Sequence, residues 1–129
     1  LSDSTLCDKL LDILESIEIV QKRTEMILSP DNFIEDDEAN LRFDAVLMRL
    51  QTIGEMLKSV EKSDGKFFAK FLDSDIVGAI KLRDIISHHY ADINPAIIFD
   101  VCKNHLEKLK IKIKLMIQEA GDQTIYRLY

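Results

Sequence analysis

Tryptophan is absent from the sequence, and glycine and proline are scarce, with four and two residues among 129. All-β sandwiches and barrels need turn residues at every reversal of the chain, so that class is excluded and helices become the first expectation. Cysteine occurs twice, as Cys7 and Cys102, too far apart for a Cys-x-x-Cys pair, which removes zinc ribbons and thioredoxin-type redox sites. Both are expected to be buried free thiols in a reducing cytoplasm. No apolar run approaches the ~20 residues that span a bilayer, and acidic residues interrupt the N-terminal segment where a signal peptide would be apolar. A soluble, cytoplasmic protein with no membrane partner is expected. Leu1 stands where an initiator methionine would be, so the true start is expected to be missing.

What is present suits one core. Hydrophobic residues make up 47% and charged residues 31%, a globular balance in a chain of single-domain length. The net charge of −6 is unevenly spread: residues 1–64 carry 15 acidic and 7 basic side chains, residues 65–129 carry 8 and 10. An anion site is therefore expected in the second half, while the acidic total excludes a generic nucleic-acid coat, which needs many phosphate contacts from Lys and Arg.

Apolar residues recur at helical spacing. Leu6, Leu10, Ile13, Ile17, Val20, Thr24 and Ile27 predict a first helix over 4–28, and Ser29-Pro30-Asp31-Asn32 punctuates it. The acidic cluster Glu35 to Glu38 suits the positive end of a second helix, whose stripe is Phe43, Val46, Leu47, Leu50, Ile53, Leu57 and Val60. Within it Gly54 admits a close helix neighbour, and Ser63-Asp64-Gly65 stops it. Phe67, Phe68 and Phe71 predict a short helical piece, and a fourth helix begins near Ser74. Asn94-Pro95 opens the last helix, whose stripe of Ile98, Val101, Leu106, Leu109, Ile113, Met116 and Ala120 runs to Gly121. The pattern predicts an all-α, antiparallel up-and-down bundle of four to five helices over residues 1–121, followed by a C-terminal tail over 122–129.

Chemistry concentrates in Arg83-Asp84-Ile85-Ile86-Ser87-His88-His89-Tyr90. A guanidinium grips phosphate as a bidentate fork, an imidazole with its ordinary pKa of ~6.5 moves protons at neutral pH, and a phenol orients either. These are the parts of an RNase that needs no metal or other cofactor. On one straight helix Arg83 and Tyr90 fall ~20° apart but Arg83 and His88 ~140° apart, so either the helix ends near His88 or a two-fold dimer combines two copies. By residue type alone the same side chains suit a surface ion pair, a helix C-cap and a boundary aromatic better than a catalytic set. His88, His89, His105, Asp84 and Asp92 show no metal-binding spacing. The lysines at 103, 108, 110, 112 and 114 suit a solvated face better than an RNA guide.

The pattern R-x4-H-x-Y formed by Arg83, His88 and Tyr90 resembles the signature of HepT-like toxins of the HEPN superfamily, and the likeness extends along the chain. The stretch Leu50-Gln51-Thr52-Ile53-Gly54-Glu55-Met56-Leu57 looks like that family's second-helix segment, and Asp92-Ile93-Asn94-Pro95 through Leu109 looks like the segment after the motif. One departure is that Val77 lies in the region where the family commonly has Trp. The resemblance implies an RNase toxin of a prokaryotic toxin–antitoxin system, acting on RNA as a homodimer. Arg83 and His88 would be its catalytic pair, Asp84 an orienting neighbour and Tyr90 the motif tyrosine; His89 inherits no role. It also implies a partner, an MntA-like minimal nucleotidyltransferase antitoxin that transfers AMP to that tyrosine. The alternative is a non-catalytic helical module that binds a nucleotidyltransferase partner or a nucleotide.

Overall fold

The computed structural model describes the backbone of residues 2–128 and the side chains of residues 5–121. Among them every regular element is helical. Helix α1 (Ser2–Arg23) buries Leu6, Leu10, Ile13, Ile17 and Val20 in one stripe. It ends at Arg23 instead of Leu28. The amide of Leu28, which an uninterrupted helix would give to the Thr24 carbonyl, donates instead to Asn32 Oδ1 at 2.9 Å. The Thr24 carbonyl accepts the Ile27 amide at 3.1 Å and Lys103 Nζ at 2.7 Å. A 3-10 turn, Pro30–Phe33, then sets the Phe33 ring 4.8 Å from that of Phe43.

Helix α2 (Asp37–Ser63) starts under Asp36, whose carboxylate accepts the Ala39 amide at 2.7 Å. Its expected stripe is buried throughout, from Phe43 to Val60. Asp64 separates it from α3 (Gly65–Ala69), which sinks Phe67 and Phe68 into the core. No glycine has a positive φ, so Gly65 begins α3 and is not the left-handed stop of α2. Helix α4 (Ser74–His89) is capped by Asp73, whose carboxylate accepts the amides of Asp75 and Ile76 and pairs with Lys112 of the last helix at 2.8 Å. A 3-10 turn, Tyr90–Asp92, carries the chain away from α4.

The last helix begins as α5 (Pro95–Asp100) under an Asn94 cap and continues as α6 (Leu106–Leu128), with a π-helical turn at Val101–His105 between them. This widened turn rephases the stripe: Cys102 is buried and Val101, the residue expected inside, is only partly so. Cys7 is likewise only partly buried, while burial pushes the Cys102 thiol up to about 11, leaving it protonated and inert. The tail expected over 122–129 is continuous with α6 in its backbone as far as Leu128, while its side chains and Tyr129 lie outside the described residues.

Helix α1 packs against α2 and α6, and α2 packs against α4, giving the expected antiparallel bundle around one core. Each fully buried Leu or Ile in it contributes about 1.5–3 kcal/mol. Three of the five lysines of the basic run serve this packing. Lys103 holds the end of α1, Lys110 pairs with Glu18, and Lys112 pairs with Asp73.

Candidate active site on the α2–α4 seam

The close approach of α4 to α2 depends on Gly54. A Cβ at that position would lie 2.3 Å from Arg83 Cβ and 3.0 Å from the Ala79 carbonyl oxygen, so the stem of Arg83 rests directly on the glycine backbone. From there the guanidinium reaches two carboxylates. Its Nη1 donates to Asp84 Oδ1 at 2.9 Å, and its Nε lies 3.8 Å from Glu55 Oε1.

Asp84 also holds His88. Its backbone carbonyl oxygen lies 2.8 Å from His88 Nδ1. A carbonyl only accepts, so Nδ1 carries the hydrogen and, in the neutral ring, Nε2 keeps the lone pair of a general base. One residue thus touches the cation through its side chain and the imidazole through its backbone. Its phase explains how, since it sits ~100° past Arg83 and ~40° before His88 on the helix. The His88 side is solvent-exposed, and the helix continues to His89, so its end does not swing His88 round to Arg83.

Farther along the seam Gln51 Nε2 donates to Ser87 Oγ at 3.1 Å. Tyr90, half exposed, lies in the 3-10 turn beyond α4 and faces Asp44 of α2. Desolvation, followed by the hydrogen bond and charge of the Asp44 carboxylate, raises the phenol above its ordinary 10.0. Beside it opens a cavity of about 310 Å³ lined by Asn40, Phe43, Asp44, Leu47 and Ile93. Tyr90 and Arg83 share the α2-facing side, as their phase requires, but seven residues of rise, about 10 Å, separate their backbones.

The other histidines lie elsewhere. His89 Nδ1 is 3.7 Å from Asp92, and His105 Nε2 is 3.0 Å from Asp100 across the π turn. Among the described residues no three His, Cys, Asp or Glu side chains come together in a metal-binding group. The α2 partners Asp44, Gln51 and Glu55 were not singled out by spacing or charge. The segment from Leu50 to Leu57 was the sequence cue that held two of them.

The class is a small all-helical bundle with Arg83, Asp84 and His88 on its fourth helix and Tyr90 in the turn beyond it. The chain belongs to the family described as Ribonuclease HepT-like, whose match covers residues 13–116 and so takes in the whole seam. It is also 33% identical over 96 residues to the Methanocaldococcus jannaschii protein named "Putative RNase MJ0127", an overlap of 74% of this chain and 73% of that one. No solved structure matches it. Among the described residues no helix is long and apolar enough to cross a membrane.

Proposed function

We propose that the chain is a metal-independent endoribonuclease acting as the toxin of a toxin–antitoxin pair, with Arg83 and His88 as its catalytic residues. The observation that carries this reading is a part-buried guanidinium held by a displaceable Asp84 carboxylate, together with an exposed imidazole whose Nδ1 is bound to the Asp84 carbonyl, two groups on different sides of α4 that a second copy would bring to one phosphate. His88 Nε2 takes the proton of a ribose 2′-hydroxyl. The freed oxygen attacks the adjacent phosphorus, and the bond from phosphorus to the 5′-oxygen breaks as that oxygen takes a proton from water. Arg83 meets the charge that grows on the phosphoryl oxygens, exchanging its single Nη1 bond to Asp84 for a bidentate grip on phosphate.

The active form in this reading is a homodimer. Leu41 and Met48, 64% and 69% exposed, lie on the same flank of α2 as Asp44, Gln51 and Glu55, and they supply apolar surface for a second copy to cover. A nucleotidyltransferase partner of the MntA-like class silences the enzyme by placing AMP on Tyr90, where added phosphate charge and bulk crowd the RNA path.

The test is cleavage of RNA by the purified chain in the presence of EDTA. Arg83→Ala and His88→Ala are each expected to lower the rate by at least ~100-fold while the thermal midpoint holds, the lower range for a general acid–base group. Full cleavage by His88→Ala, or loss of wild-type cleavage on chelation, would overturn the assignment.

A further inference from the structure

We infer that Glu55 is a positioning residue for Arg83, acting through the guanidinium Nε and oppositely to Asp84. This rests on the reading of Arg83 as the phosphate clamp. The stem of Arg83 lies on Gly54 and enters the seam so deeply that its Nε is buried and without a hydrogen-bond partner. A buried N–H left unpaired has lost its bond to water with nothing in return, so the site gains by bringing an acceptor to it. Glu55 Oε1 is 3.8 Å away, within ion-pair range but beyond hydrogen-bond range, on a side chain that is 51% exposed and free to swing.

The two carboxylates address different parts of the fork. Asp84 occupies Nη1, a group that an incoming phosphate needs, and it must be displaced when substrate binds. Glu55 addresses Nε on the α2 side. A phosphate that approaches from solvent and takes both Nη groups leaves Nε free for it. When Glu55 closes by about 1 Å it satisfies the buried N–H and fixes rotation of the guanidinium plane, and the outward edge then faces the reacting phosphate. Glu55 therefore orients Arg83 without competing for its ligand. Gly54 is part of the same device, because any side chain there would lift the Arg83 stem and expose Nε.

The experiment compares Glu55→Ala and Glu55→Gln with wild type in steady-state cleavage of an RNA that the wild-type chain cuts. Glu55→Ala should lower kcat about tenfold with less than about a threefold change in KM, since a misaligned clamp harms the transition state more than ground-state binding. Glu55→Gln should stay within about threefold of wild type, because its amide oxygen still accepts from Nε. The thermal midpoint should not move in either variant. In an Arg83→Lys background, which has no Nε–H, Glu55→Ala should add no further loss.

Equal defects in the Gln and Ala variants would overturn the inference, as would an undiminished Glu55→Ala effect in the Lys background. A lower KM with unchanged kcat would do the same, marking Glu55 as an acid that merely repels RNA. Where Arg83→Lys is too slow to measure, the Gln and Ala comparison decides alone. Wild-type rates in Arg83→Ala, or no RNA cleavage by the wild-type chain, would instead defeat the catalytic reading itself.

Discussion

Tyr90 sits where two demands on a phenol meet. Desolvation and the Asp44 carboxylate hold it in the protonated form, and the residue as a whole is half exposed beside an open cavity. In the proposed control step the phenol oxygen attacks the α-phosphorus of ATP, pyrophosphate leaves and the proton needs an acceptor, which Asp44 is close enough to provide. Incubation with ATP, magnesium and the partner nucleotidyltransferase should add the mass of AMP to the wild type and none to Tyr90→Phe. Labelling of that variant at Tyr126 or Tyr129 would show that the motif tyrosine is not the target. Replacing Asp44 by Asn should also bring the Tyr90 titration down toward its ordinary 10.0, because a negative neighbour raises the pKa of an acid whose product is an anion.

At the scale of the element, α4 must begin at a fixed place for Arg83 to meet Gly54, and Asp73 fixes it. Burial pushes its carboxyl upward, but the Lys112 bridge and the amides of Ile76 and Asp75 outweigh this and hold the group below its ordinary 3.8. A carboxylate with a lowered folded-state pKa contributes stability in full above its unfolded value and loses it as pH falls through the lower folded value. Asp73→Asn keeps a capping acceptor and removes the charge. At pH 7 it should cost about 1 kcal/mol, the scale of one partly exposed ion pair at a helix start, and the gap to wild type should close as pH drops below 3.8. Urea unfolding at several pH values measures it; a gap that is constant or widens in acid would refute the role given to the charge.

At the scale of the whole molecule, Arg83 and His88 stand on different sides of α4. Arg83 lies on the α2 seam, His88 lies on the exposed side of α4, and the helix between them is regular. In the proposed homodimer a second copy would supply what one chain does not, with the two exposed flanks meeting across a two-fold axis. Mixing inactive Arg83→Ala and His88→Ala chains should then restore part of the RNA cleavage, because one of the two composite sites in a mixed dimer keeps both groups. No rescue after subunit exchange would place the pair within one chain, and full activity from a strict monomer in solution would refute the dimer.

Much of this protein is determined by sequence alone, because it follows from local periodicity and end chemistry. The α2 stripe, the Ser74 start of α4, the Asn94-Pro95 opening of α5 and the R-x4-H-x-Y spacing of Arg83, His88 and Tyr90 are of that kind. Membership in the HepT-like ribonuclease family follows from the same linear information. Other features depend on groups distant in the chain. Helix α1 ends at Arg23, where Asn32 takes the Leu28 amide and Lys103 joins the Thr24 carbonyl, and Cys102 replaces Val101 inside because a π turn forms. Only the tertiary structure decided that Gly54 would carry the stem of Arg83, that Glu55 would face its buried Nε, and that Asp44 would meet Tyr90. Periodicity assigns a residue to a face of its own helix, but which residue of another helix stands opposite is set by the register at which the two pack, and that register exists only once the core has closed.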